Sequence, residues 1–157
     1  MAAQRERRRL SFASIDEVLA EVDRIVAAEQ AGTLRRTGNW TVGQTFGHLA
    51  AWITYGYEGY PFRVPWFVRF LVRPMLRRFI RTGLRPGVRL PKVREGTYGT
   101  EVLSTEEGAR RLRAALGRLK AGEPARCPSP GFGSMSEEER VQLNLRHAEL
   151  HLGYLHP

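Results

Sequence analysis

Apolar positions recur at helical spacing in five stretches of the chain, and turn signals separate them. The clearest is Met135 to Leu155, where Ser136 with Glu139 three residues later has the form of a capping box. At 100° per residue, Val141, Leu143, Leu145, Ala148, Leu152, Tyr154 and Leu155 share about half of its circumference, with Gln142, Arg146, Glu149 and Gly153 on an opposite, wet side. Ser14 reads as the N-cap of a helix over Ile15 to Gln30, with Ile15, Val18, Leu19, Val22, Ile25 and Val26 as its apolar face. Thr41 with Gln44 predicts a second capping box and a helix to about Tyr57. Ser104 with Glu107 predicts a third, opening a helix that ends near Gly122 and turns Leu112, Ala115, Leu116 and Leu119 inward.

Between the second and third of these helices the pattern changes. Gly59 to Arg94 holds ten Lys or Arg and no acidic residue. Within it, Trp66 to Arg81 is amphipathic, with Val68, Leu71, Val72, Met75 and Phe79 on one side and Arg69, Arg73, Arg77, Arg78 and Arg81 on the other. Pro74 should kink this helix or divide it in two. Residues 83–103 have three spaced turn signals and room for a little strand. No alternating strand pattern appears elsewhere, so the sequence predicts an all-α protein: a four-helix bundle with an Arg-rich helical insertion at residues 59–103. Residues 10–157 form one domain, and residues 1–9 form a basic, loose tail.

Three of the four histidines fall on inward helix faces. His147 and His151 lie one turn apart inside the apolar stripe of the last helix, and His48 sits with Trp52, Ile53 and Tyr55 on one side of the second. Gly43, Gly47, Ala50, Thr54 and Tyr57 lie opposite. An i, i+4 pair with a third imidazole from a facing helix can hold a divalent transition metal and leave coordination positions open. The plainer reading is that buried imidazoles simply hydrogen-bond to backbone. Gln44 and Asn144, within a turn of His48 and His147, are candidates for orienting the rings. Trp52, Tyr55 and Tyr154 share the histidine faces and can line a pocket or pack in the core. The segment His147 to His151 is not the HExxH of zinc proteases, because its acid, Glu149, is turned away from both rings.

Composition adds two things. A net charge of +9 and a pI near 10.7 favour anionic partners without choosing among them. A lone Cys127 precludes a disulfide within the chain and leads to an expected reducing, cytoplasmic setting. The opening MAAQRERRRL has no apolar h-region, so a secretory leader is not expected.

The stretches GNWTVGQTFGHLAAW and GFGSMSEEERVQLNLRHAELHL resemble the DinB-like (DinB/YfiT) superfamily of bacterial metal-binding four-helix bundles. LSFASIDEVLAEVDRI is similar to the first helix of a branch described only as a domain of unknown function. The resemblance runs from about Leu10 to the end of the chain. It implies that His48, His147 and His151 are ligands of a divalent metal, Zn or Ni first and Fe next, with water or substrate completing the shell. It also implies a metal-dependent transferase or hydrolase acting on a small molecule, in some relatives with a low-molecular-weight thiol, and is compatible with a homodimer.

Where the branch usually has an aromatic residue, this chain has Arg140. Seven residues before His147, it can either hold an anionic substrate group near the metal or reach solvent. A competing reading makes the protein a non-enzymatic binder whose Arg-rich insertion meets an anionic membrane or nucleic acid. The plainest reading of that insertion is a helix whose apolar side closes the bundle while its arginines are solvated.

Overall fold

Helix starts are where the sequence speaks most directly. In the computed structural model, which describes residues 6–90 and 93–157, each of the four capping residues accepts a hydrogen bond from the backbone it faces. Ser14 caps α1 (Ile15–Gln30), Thr41 caps α2 (Val42–Glu58), Ser104 caps α4 (Thr105–Lys120) and Ser136 caps α5 (Glu137–Leu152). The boxes at Thr41/Gln44 and Ser136/Glu139 are reciprocal, whereas the expected box at Ser104 is half made. The Glu107 carboxylate turns instead to Arg110 and Arg111, two charge-assisted partners within reach on its own helix.

The remaining elements are α3 (Trp66–Thr82), which runs through Pro74 as one helix rather than two, and a two-residue antiparallel pair, β1 (Arg35–Arg36) with β2 (Leu155–His156). Among the described residues the protein is thus five helices and one short strand pair, with no strand in the described part of 83–103. None of these helices is long and apolar enough to cross a membrane. Tyr154 and Leu155, placed on the last helix by periodicity, lie beyond its end at Gly153. Leu155 is drawn into β2, where His156 accepts from Arg35 through Nδ1 at 3.3 Å and faces Thr37 Oγ1 through Nε2 at 3.2 Å.

The core joins Val22 and Ile25 of α1, Phe46 and Leu49 of α2, Leu112 and Leu119 of α4, and Leu145 and Leu152 of α5. The α2 face that a helical wheel sets opposite His48 is also buried, at Gly43, Gly47, Ala50 and Tyr57, because α4 packs there almost backbone to backbone. A Cβ on Gly43 would stand 2.1 Å from the Leu103 carbonyl oxygen, and one on Gly108 would stand 2.7 Å from that of Gly43. Only residues without side chains permit this approach. It leaves α2 wrapped on both sides, with His48 only 2% exposed.

The polar side of α5 is not wet. The segment before α1 crosses it: Phe12 N–H donates to Glu149 Oε1 at 2.7 Å, and Arg146 Nη2 donates to the Phe12 carbonyl at 2.7 Å. The two side chains also form an ion pair of 2.8 Å. These contacts satisfy backbone groups that no helix or sheet serves, so charged residues can be covered without an orphaned partner for Phe12. The tail expected over 1–9 is correspondingly tied down at Arg8, whose N–H donates to Gly153 O at 2.8 Å and whose guanidinium pairs with the buried Glu21. Residues 1–5 of that tail, and Pro91 and Lys92 of the Arg-rich stretch, lie outside the described residues.

The close α2/α4 seam sets opposite expectations for two glycines. Gly43→Ala should lower the free energy of unfolding by about 3 kcal/mol through overpacking. Gly117→Ala, on α4 with nothing within 4 Å of the new Cβ, should raise it by about 0.5–1 kcal/mol. Urea denaturation of both variants at unchanged slope measures each value.

Candidate metal centre

His48 comes from the middle of α2, and His147 and His151 come from consecutive turns of α5. Because the two helices face each other, the three rings meet edge to face, with centroids 5.0 Å apart for His48 and His147, 4.6 Å for His48 and His151, and 4.8 Å for His147 and His151. One ring nitrogen from each lies within 4.8 Å of the others. The Nε2 atoms of His48 and His147 are 3.2 Å apart. The group contains no carboxylate.

The tautomer of His48 is set by a residue that the sequence did not mark. Its Nδ1 lies 2.8 Å from the Tyr98 carbonyl oxygen, which can only accept, so Nδ1 carries the proton and Nε2 presents a lone pair to the cluster. Trp52 Nε1 donates to the same oxygen at 3.3 Å. The carbonyl arrives on the long connection before α4, braced by stacking of the Tyr98 ring on Phe62 at 5.0 Å. Gly99 follows at φ +76°, and a Cβ there would stand 2.7 Å from Ala51 Cβ. Glycine at 99 therefore lets the connection lie against α2 at the height of His48.

Gln44 and Asn144, expected to orient the imidazoles, hydrogen-bond to backbone groups. Gln44 completes the α2 capping box and donates to Thr100 O at 3.3 Å, and Asn144 donates back along its own helix to Arg140 O at 2.9 Å. Arg140 is buried rather than solvated, yet it is not brought to the rings. Its Nη2 donates to Glu123 O at 2.7 Å, its guanidinium lies 5.3 Å from the Tyr57 ring centre, and seven residues of helix separate it from His147 by about 10 Å.

Aromatic residues wall the cluster. Trp40, just before the α2 cap, stacks on His151 at 5.2 Å and 11° and touches His48 at 4.8 Å. Trp52 meets His48 and His147 edge-on, both at 6.1 Å, while Tyr55 packs behind Trp52. Trp40 went unrecognised because it precedes the helix and has no place in its periodicity. A cavity of about 290 Å³ opens beside His151, lined by Asn39, Trp40, Thr45 and Tyr154 among others. The cluster thus borders space for a small molecule.

Burial outweighs the help of the Tyr98 carbonyl and holds His48 down at about 4. Burial, then the charges of His48 and Arg7, takes His151 to about 3, and burial with its two neighbours keeps His147 well below the ordinary imidazole range. All three rings are neutral near pH 7, the form that ligates metal. Fold and site together define a mostly helical protein with a three-histidine cluster in which His48 is buried and His147 and His151 are half-buried. The chain belongs to the family described as Protein of unknown function (DUF1569), whose model matches residues 4–157. No curated protein and no solved structure matches it.

The depressed imidazole values fix a pH dependence. Between pH 6.5 and 4 the unfolded chain protonates His48 and His151 while the folded chain excludes those protons, so stability falls with acid. For metal-free protein the slope should approach about 1.4 kcal/mol per pH unit for each excluded proton. Urea midpoints at pH 6.5 and 4.5 should show the loss, and His151→Gln should flatten it.

Proposed function

We propose that this chain is a metal-binding protein of the DinB-like kind, with α1, α2, α4 and α5 as its four-helix bundle and residues 59–103 inserted. His48, His147 and His151 hold one divalent transition ion, with Zn or Ni preferred and Fe next. The observation that carries this reading is the 3.2 Å between two Nε2 atoms with a third imidazole nitrogen near both. Two nitrogens bound to one tetrahedral zinc at about 2.05 Å stand about 3.3 Å apart. An N–H···N bond between His48 and His147 would use the same separation, but it gives the third ring nothing to do.

When bound, the ion supplies Lewis acidity at an open position, lowering the pKa of a bound water to about 7 or polarising a substrate carbonyl or thiol. The chain's own part is positional. Tyr98 keeps the His48 Nε2 lone pair free, Trp40 and Trp52 shield the rings from bulk water, and the cavity between Trp40 and Tyr154 receives a small substrate. The activity that fits is a metal-dependent transfer or hydrolysis, with a low-molecular-weight thiol as a candidate co-substrate.

Elemental analysis of protein purified without a nickel column should find about one equivalent of transition metal, or uptake of one zinc on dialysis. His48→Ala should lose it by more than the roughly 10–100-fold that a supporting residue is worth, and His156→Ala should keep it. A folded wild-type protein that stays metal-free under both treatments contradicts the proposal.

A further inference from the structure

The α3 helix does not divide into the two sides that its periodicity suggests. Leu76 is fully buried, Val68, Val72 and Phe79 turn inward with it, and Arg69 and Arg73 on the flank of that face donate to the carbonyls of Pro130 and Phe132. Arg73 also grips Glu139 at the start of α5. The arginines expected to be free at 69 and 73 thus clamp the helix to the loop before α5. The apolar residues that periodicity assigned to the inner side at 71 and 75 are exposed.

What α3 shows outward is apolar first and cationic afterwards. Trp66 and Phe70 are 80% and 79% exposed, with Phe67 and Leu71 beside them. Arg77, Arg78 and Arg81 follow on the same side, and all seven residues fall within about 140° of arc on an ideal helix. From Gly59 to Arg94 no acidic residue interrupts this face.

We infer that the outer face of α3 docks on an anionic phospholipid surface, its N-terminal half tilted inward. Four large apolar side chains grouped at one end suit the headgroup and acyl boundary, where Trp and Phe are favoured. The arginines then lie at the height of lipid phosphates and meet a negative surface potential. A second copy of the chain is a poorer occupant, because pairing this face with itself gathers both sets of arginines at one interface with no acid from the face to offset them. A nucleic acid would match the arginines but leave Leu71 and the phenylalanines against a polar groove. The inference stands apart from the histidine cluster, and no residue of it enters the metal reading.

The test is co-sedimentation of the full chain with vesicles of phosphatidylglycerol and phosphatidylcholine in equal parts, with pure phosphatidylcholine vesicles and a short DNA duplex in parallel. The expected result is binding to the anionic vesicles above both controls. Trp66→Ser with Phe70→Ser, both at exposed positions, should weaken it about tenfold or more. Arg77→Ala with Arg78→Ala should weaken it about fivefold per arginine. The inference is overturned if the Ser pair binds anionic vesicles as the parent does, if neutral vesicles bind equally, or if DNA binds more tightly than vesicles. A parent dimer that the Ser pair converts to monomer also overturns it, since the face would then belong to a second copy.

Discussion

The hydrogen bond from His48 Nδ1 to the Tyr98 carbonyl decides what the centre of this protein can be. A buried imidazole needs a partner for its N–H and leaves the other nitrogen as a lone pair. With the proton committed to Tyr98, His48 presents that lone pair to two further imidazoles. Burial keeps all three neutral, so they do not repel one another as cations would. The contact depends in turn on Gly99 against α2 and on the Phe62–Tyr98 stack, so the long connection before α4 is part of the centre.

The helices around it are arranged by equally local causes. Gly43 and Gly108 bring α2 and α4 so close that α2 has no free side, which fixes the height at which His48 enters the interior. Phe12 closes the far side of α5 by exchanging backbone hydrogen bonds with Arg146 and Glu149, behind the turn that carries His147 and His151. In both cases a residue without chemistry of its own determines where a chemically capable one stands.

What was legible in the sequence follows from this. Helix starts are local, so Ser14 placed α1 with both bounds right, and Thr41/Gln44 and Ser136/Glu139 made the boxes their spacing implies. The convergence of His48, His147 and His151 was legible because inward faces of facing helices must meet. Tyr98 was not, since it acts through a backbone carbonyl that any residue possesses. Gln44 and Asn144 bond to backbone groups, and proximity within one turn cannot tell a side chain that does so from one that reaches a ring. A helical wheel also knows only its own helix. It could not foresee that the N-terminal segment would cover Arg146 and Glu149, that Glu123 and Tyr57 would engage Arg140, or that loop carbonyls would hold Arg69 and Arg73 at the edge of the α3 contact.

The most direct measurement is X-ray absorption at the zinc edge of the zinc-loaded chain, which counts and identifies the ligands themselves. Three imidazoles on one ion predict scattering from nitrogen at about 2.0–2.1 Å with the outer-shell pattern of histidine rings, reduced by one ring in His147→Ala. A shell dominated by sulfur at about 2.3 Å, or one with fewer than three imidazoles that His147→Ala leaves unchanged, would contradict the account.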